Sequence, residues 1–260
     1  MRRSVCVLAL AALLGGGCTG KGAPLDRIVA TPTKIPGVAV VYAALGASET
    51  AGVGTFDPLR NAWPRVLWRG TLPSGSTLFD LGVPGTLASQ ALVDQVPQAV
   101  ELQPDLATVW LNVNDLIRGV PAAAYGRTLG RIVHALRGDG RTTVLVANTP
   151  HVELLPAYFA CRSINGLYTA PRGNVVQCPP ELLGALPAPA RVERMVDAYN
   201  EVISRVVRTE GALLVDLHGL GPVPTDHPEY IADDGFHPSN EGAAEVATLF
   251  GEAWTQSRPG

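Results

Sequence analysis

Two short fragments near opposite ends of the chain hold the residue types that nucleophilic acyl transfer needs. Ser48 lies two positions after Gly46, just after the first apolar run. Asp234 and His237 lie three positions apart near the other end of the chain. A serine hydroxyl is a weak nucleophile at neutral pH, and a histidine is suited to remove its proton during the attack. Within one tight turn, Asp234 could hold one imidazole nitrogen and leave the other facing Ser48. The spacing therefore predicts a catalytic triad in the chain order Ser48, Asp234, His237.

The elements that must position this triad alternate between strand and helix patterns. Short apolar runs bounded by Gly, Pro, Asn or Asp are typical of buried parallel strands. They predict strands at 38–45, 77–81, 107–111, 143–147 and 212–217. Apolar residues at helical spacing predict helices at 87–102, 122–137, 191–208 and 240–254. The alternation predicts an α/β fold, a three-layer α/β/α sandwich with a mostly parallel five-stranded sheet of flavodoxin-like type.

Four sequence blocks, found in the expected order, resemble those of the SGNH, or GDSL, hydrolase family. They are residues 41–50 (VYAALGASET), 81–86 (LGVPGT), 110–115 (WLNVND) and 234–238 (DGFHP). Together the blocks cover nearly the whole chain beyond residue 38. The resemblance implies an SGNH-hydrolase fold and a carboxylic ester hydrolase in which the nucleophilic serine follows the first strand.

The resemblance also implies an oxyanion hole, which is a set of donors for the negative charge that develops on the attacked carbonyl oxygen. Its donors would be the N–H of Ser48, the N–H of Gly85 with Gly82 as the second choice, and the side-chain amide of Asn114. Each lies at a predicted strand end, where ligands bind in such sheets. The reaction needs no cofactor.

Two positions depart from the family's pattern. Ala47 stands where the family has an aspartate that supports the local turn, and Asn112 stands where glycine is common. We expect Asn112 to adopt a positive φ, because asparagine tolerates the left-handed region better than most residues. Neither departure removes a predicted nucleophile, base or oxyanion donor.

The first residues resemble a bacterial lipoprotein signal. Arg2 and Arg3 precede an apolar stretch at 5–14 that is too short to span a bilayer, and three glycines lead to Cys18. We expect a signal peptide at 1–17, an acylated Cys18, a tether at 18–36 and a hydrolase domain at 37–257. The alternative is ordinary secretory cleavage with Cys18 incidental. Both alternatives place the protein outside the cytoplasm, the first as a membrane-anchored lipoprotein.

Cysteine usage agrees with an oxidising compartment, since Cys161 and Cys178 are the only pair in the predicted domain. A disulfide between them is favoured over a metal site, which would need a CxxC partner pair. The long Pro- and Gly-rich segment 150–189 around them predicts a stapled wall or lid over the pocket, with Tyr158 and Tyr168 in it. Alternatively, the segment is a surface excursion whose aromatic side chains pack on the body.

Composition limits the partners. The 260 residues are 47% hydrophobic and 17% charged with a net charge of −3, enough for one well-packed domain, and we expect a monomer. The basic residues are scattered singly, which argues against nucleic acid, so membrane contact is expected only through the lipid anchor. The predicted partner is a small-molecule or polysaccharide acyl ester.

Other catalytic sites fit less well. Thr50 stands where the G-x-S-x-G elbow of α/β-hydrolases has glycine. One loop offers possible metal ligands, but their spacing matches no metal site, so none is predicted; these are Asp226, His227, Asp233, Asp234 and His237. His151 is a candidate for the site entrance. Solvated positions are expected for His134, His218, Asp226 and His227.

The ester itself is not specified by these residues. Acetyl or other short-chain esters on polysaccharide, lysophospholipids and small aryl esters all suit a Ser48 nucleophile. Two further functions remain open: an acyltransferase with the same triad, and a binding lipoprotein without turnover, which Ala47 and Asn112 would explain.

Overall fold

The computed structural model describes residues 38–258. Its strands are β1 (Val41–Gly46), β2 (Thr77–Asp80), β3 (Leu106–Trp110), β4 (Thr143–Ala147), β5 (Leu167–Thr169), β6 (Val175–Gln177) and β7 (Leu213–Val215). Five of these strands form a parallel sheet in the order β2-β1-β3-β4-β7, and β5 and β6 form a separate antiparallel hairpin. This order is that of flavodoxin-like folds. The predicted fold class is confirmed.

The helices cover both faces of the sheet. They are α1 (Ser48–Ala51), α2 (Pro58–Asn61), α3 (Trp63–Gly70), α4 (Ala88–Asp94), α5 (Val96–Glu101), α6 (Val113–Ile117), α7 (Ala122–Arg137), α8 (Pro156–Arg162), α9 (Pro189–Glu210) and α10 (Asn240–Gln256). Side chains alternate across β1, so Ala43 and Leu45 face the α4, α5, α7 and α9 layer. Tyr42 and Ala44 face the α3 and α10 layer. Two hydrophobic cores therefore enclose the sheet.

The structure differs from the sequence prediction in two helical regions. The helix expected at 87–102 is divided into α4 and α5 at Gln95. Pro97 lacks the N–H that would continue the helix. The Gln95 side chain accepts a hydrogen bond from Gly46 at the end of β1. Helix α3 was not predicted, because Pro64 and Gly70 mask its pattern. It packs on α10, where the rings of Trp63 and Phe250 stack 4.2 Å apart.

The segment after β4 forms a small structure of its own. It contains α8, the β5–β6 hairpin and the predicted disulfide between Cys161 and Cys178. A third apolar cluster, which includes both cysteines and Val176, fills its interior. The inserted element, defined here as residues 150–188, is therefore held together by its own core and by a covalent bond.

The predicted signal peptide, the acylated Cys18 and the tether lie outside the described residues. Within residues 38–258, none of the helices has the length and apolar character that crossing a bilayer requires.

Candidate active site

The nucleophile turn joins β1 to α1 and is fixed from two sides. A side chain at Gly46 would overlap the side chain of buried Thr50, so the turn requires glycine. The Gln95 amide accepts a hydrogen bond from the Gly46 N–H at 3.0 Å and donates one to its carbonyl at 2.9 Å. Ala47 provides no side-chain cap. Gln95 thus supports the turn that begins α1 at Ser48.

The predicted acid and base are hydrogen-bonded to each other. Asp234 Oδ2 lies 2.6 Å from His237 Nδ1, and Asp234 Oδ1 accepts the N–H groups of Phe236 and His237 at 2.9 and 3.0 Å. Burial raises the pKa of Asp234, but the hydrogen bond from His237 and those from the backbone outweigh it and hold this pKa below its ordinary value. The carboxylate is thus kept ionised beside the imidazole.

Tertiary contacts bring this pair to the nucleophile turn. A Cβ added at Gly54, six residues after Ser48, would lie only 2.7 Å from the His237 Cβ. His237 and Asp234 both act on the charge of Glu49, the neighbour of the nucleophile. The Ser48 hydroxyl donates to Glu49 Oε2 at 3.4 Å. Among the described residues it has no hydrogen bond to His237, and apo sites often tighten only when substrate binds.

The loop between β2 and α4 extends along the nucleophile turn. Val83 donates its N–H to the Gly46 carbonyl at 3.2 Å. The Gly82 N–H is occupied by the Asp80 carboxylate, also at 3.2 Å. Gly85 has φ +79°, which favours glycine, and in the described part of the chain its N–H has no acceptor. Gly85 is therefore a better candidate than Gly82 for the predicted oxyanion donor.

Asn114 lies in α6 and contacts the same loop. Its Nδ2 donates to the Thr86 carbonyl at 3.2 Å, which leaves a second N–H on that nitrogen. The adjacent Asp115 accepts the Ala88 N–H at 2.8 Å. Burial raises the pKa of Asp115, and the hydrogen bond from Ala88 opposes this effect. Sequence reasoning missed Asp115, although its place beside Asn114 in the third block was a signal.

Asn112 does not adopt the expected left-handed conformation. Its φ is −141°, and its buried side chain donates from Nδ2 to the Ala147 carbonyl at 3.1 Å. A side chain with a partner at the end of β4 is held in place by that bond, so the backbone need not imitate glycine. The expectation of a positive φ was wrong for this reason.

The segment 231–238 carries the predicted acid and base and is called the catalytic loop for that reason. A mostly apolar cavity of about 80 Å³ lies behind it. Glu49, Trp110 and His151 line it, and Phe236 and Pro238 from either side of His237 complete this end. His151 therefore lies near the site, as one of the sequence predictions proposed.

The prediction of a solvated His218 was wrong. Its ring lies 3.9 Å from that of His151, and its Nδ1 is buried and has no partner among the described residues. The two rings pack because β4 and β7 are neighbours in the sheet, so the residues that follow them meet. His151 and His218 are far apart in the sequence, and no sequence pattern indicated that they would pack together.

The inserted element forms part of the cavity wall but not the predicted aromatic lid. Val152 and Leu155 line the cavity. Tyr158 is buried in the body with its hydroxyl on the Pro187 carbonyl, and Tyr168 packs beside the disulfide. Neither tyrosine lines the cavity. Tyr158 thus follows the alternative prediction of packing on the body, whereas Tyr168 packs inside the inserted element.

The possible metal ligands have other partners. His227 Nδ1 lies 3.0 Å from Glu229, and its ring stacks on Tyr230. Over the described range, no group of three or more His, Cys, Asp or Glu side chains is arranged to hold a metal ion.

A protein-family model matches the amino-acid sequence. Residues 44–245 match the GDSL-like Lipase/Acylhydrolase family, which is most of the chain. The protein therefore belongs to that family and is a carboxylic ester hydrolase. No curated protein matches the sequence.

Solved structures share the fold at low sequence identity. The crystal structure of TesA has 19% identity and a TM-score of 0.59, with 83% of this chain and 98% of that chain covered. A family 3 carbohydrate esterase from Clostridium thermocellum has 16% identity and a TM-score of 0.56, covering 85% and 97%. The psychrotrophic esterase EstA from Pseudoalteromonas sp. has 13% identity and a TM-score of 0.55, covering 84% and 97%. These likenesses concern the fold.

Proposed function

We propose that the protein hydrolyses carboxylic acyl esters through a Ser48, Asp234 and His237 triad. The observation that carries this proposal is the 2.6 Å hydrogen bond between Asp234 and His237 on a loop that lies against Gly54, six residues after Ser48. An imidazole oriented by a carboxylate has one nitrogen left to act as the general base. The family supplies the reaction class, and these residues supply the roles.

In the first step, Ser48 Oγ attacks the ester carbonyl carbon while His237 takes its proton. The negative charge on the carbonyl oxygen is received by the N–H groups of Ser48 and Gly85 and by the Asn114 side chain. The ester C–O bond then breaks, and His237 returns the proton to the departing alcohol. An acyl group remains on Ser48, and Asp234 has stabilised the imidazolium throughout.

In the second step, water repeats the attack on the acyl-enzyme. His237 removes one proton from the water, the new C–O bond forms, and the bond to Ser48 Oγ breaks. The proton goes back to Ser48, and the carboxylic acid is released. No cofactor enters this sequence of steps.

The substrate class follows from the surroundings of the site. The walls of the cavity behind the catalytic loop are mostly apolar, which suits the hydrocarbon part of an acyl group. The likeness in fold to a carbohydrate esterase supports an ester of a sugar or polysaccharide as one candidate alcohol. Pocket shape sets the acyl length, so esters of graded length are the informative substrates.

The proposed site of action is outside the cytoplasm, with Cys18 as a lipid anchor. The signal-like first residues and the disulfide support this location. Fractionation of expressing cells tests it, because a Cys18→Ala variant should leave the membrane fraction. An unchanged distribution would contradict the anchor.

The deciding experiment compares wild type with Ser48→Ala on p-nitrophenyl esters from acetate to decanoate. We expect wild-type turnover and a loss of more than about 10³-fold in kcat for Ser48→Ala, because removal of a triad member leaves only the oxyanion hole and binding. Ser163→Ala is the matched control, since Ser163 ends α8 outside the site. Equal rates for wild type and Ser48→Ala would refute the proposal.

A further inference from the structure

Glu49 is a buried carboxyl beside the nucleophile that the triad does not use. Only 8% of its surface is exposed, and its side chain lines the cavity behind the catalytic loop. Its Oε2 accepts the Ser48 hydroxyl at 3.4 Å, which is long for this kind of hydrogen bond. Within residues 38–258, it forms no ion pair with a lysine, arginine or histidine. The hydrogen bonds from Ser48 and from the backbone N–H of Glu49 itself offset the cost of burying this carboxyl only in part, because its pKa is still raised.

The titratable groups around Glu49 belong to the catalytic loop and to the cavity wall. Burial raises the pKa of Glu49, a nearby His237 lowers it, the Ser48 hydroxyl lowers it, and Asp234 raises it. His151 and Tyr230 are the other titratable residues that line the same cavity. Of these groups, the His237 imidazole is the one that gains positive charge during the proposed reaction.

A buried carboxyl without a cation has two ways to lower its free energy. It can take up a proton, or it can ionise beside a cation that forms close by. When His237 takes the proton of Ser48, it becomes that cation. Coupling between two charges is reciprocal, so a group that stabilises ionised Glu49 is stabilised by it equally.

We propose that Glu49 is a positioning residue of the reaction, a second carboxyl beside Asp234 whose charge sets how readily His237 accepts the proton of Ser48. Ionised Glu49 favours the imidazolium, and protonated Glu49 does not. The Ser48 hydroxyl donates its long hydrogen bond to the same carboxyl. This inference rests on the proposed function.

The variants that test it separate charge from shape. Glu49→Gln keeps the size and the hydrogen-bond acceptor but removes the charge, and Glu49→Asp keeps the charge. Glu210→Gln is the matched control, because Glu210 is a half-buried carboxyl paired with His134 at 3.2 Å and neither residue lines the cavity. Thermal unfolding of each variant establishes that it is folded.

The first measurement is the pH dependence of kcat/KM on p-nitrophenyl butyrate. Without the anion the imidazole releases its proton more easily, so Glu49→Gln should remain active about one pH unit further into acid than wild type. Glu49→Asp should return towards the wild-type profile, and Glu210→Gln should match it. Superimposable profiles for wild type and Glu49→Gln would overturn the proposal.

The second measurement needs no turnover. The titration of the Glu49 carboxyl is followed by ¹³C NMR in wild type and in His237→Gln, with Glu49→Gln as the reference for assignment. Loss of the histidine should move this titration to higher pH, because His237 lowers the pKa of Glu49. An unmoved titration contradicts the coupling even if wild type hydrolyses no ester, whereas missing activity alone refutes only the proposed function.

Discussion

The two halves of the candidate site are held in place by different means. Ser48, Gly85 and Asn114 follow β1, β2 and β3, which are three adjacent strands of the parallel sheet. Asp234 and His237 lie on a loop between β7 and α10, where the described pairing is a single bridge between Ile231 and Pro238. The oxyanion side is therefore positioned by the main-chain ladder of the sheet, and the base side is not.

The inserted element holds the catalytic loop in place by hydrogen bonds, in the place of strand pairing. Ala157 donates its N–H to the Gly235 carbonyl at 3.0 Å, and Asn174 Nδ2 donates to the Asp233 carbonyl at 3.1 Å. Arg172 adds a bond to the Ile231 carbonyl at 3.2 Å. Three contacts from one disulfide-linked element thus fasten the catalytic loop. Disturbing the sheet end should therefore alter charge stabilisation, whereas disturbing the inserted element should alter the placement of the base.

The largest expected effect is on the sheet side. Asn114→Ala removes a side-chain donor from the predicted oxyanion hole, which should lower kcat by about 10²–10³-fold with little change in KM. Its bond to the Thr86 carbonyl is only partly buried, so the melting temperature should move little. Steady-state kinetics and thermal unfolding measure both quantities. A loss below threefold would show that Asn114 is not a donor.

The next effect is on the base side. Gly235 has φ +74°, and a Cβ there would lie 2.8 Å from both γ carbons of Val176. Gly235→Ala should therefore strain the catalytic loop by about 1–3 kcal/mol and lower kcat about tenfold or more. Adding Val176→Ala removes the two γ carbons and should restore part of the loss, with Val176→Ala alone as the control. If the double variant is no faster than Gly235→Ala, Val176 of the inserted element does not determine the position of the catalytic loop.

The smallest expected effect on rate follows loss of the disulfide. Replacing Cys161 and Cys178 with alanine opens a loop whose ends are 17 residues apart, for which the chain-entropy model gives about 3 kcal/mol of stability. We expect a lower melting temperature and a kcat reduced several-fold. Since the disulfide and Asn114 act on different halves, combining these changes should multiply their effects on kcat. If the two effects on kcat do not multiply, the two halves of the site are not independent.

The sheet could be predicted because its signals are local. Each buried strand is a short β-branched or leucine-rich run, and the predicted strands overlap the observed ones within a few residues. The helix at 122–137 was predicted with the observed bounds. Helix α3 was missed because Pro64 and Gly70 obscure a pattern that only packing on α10 makes helical.

Pairings between distant residues were harder to predict. The support of the nucleophile turn by Gln95 and the stacking of His151 on His218 both join segments that are far apart in sequence. Neither contact produces a spacing pattern in the sequence, because each depends on one side chain from each of two distant segments. The left-handed Asn112 was wrongly expected for the same reason, since its partner at Ala147 could not be seen from the sequence.

The sequence alone was enough to predict the alternation of strands and helices, the disulfide pair, and the candidate triad of Ser48, Asp234 and His237 with its oxyanion donors. Residue types, periodicity and short motifs carry that information, because side-chain chemistry and secondary structure are local properties. The tertiary structure was needed to show that the inserted element fastens the catalytic loop and that Glu49 is buried in the cavity that Phe236 and Pro238 also line. Burial and charge coupling depend on which distant segments pack together, and one chain read in order does not contain that information explicitly.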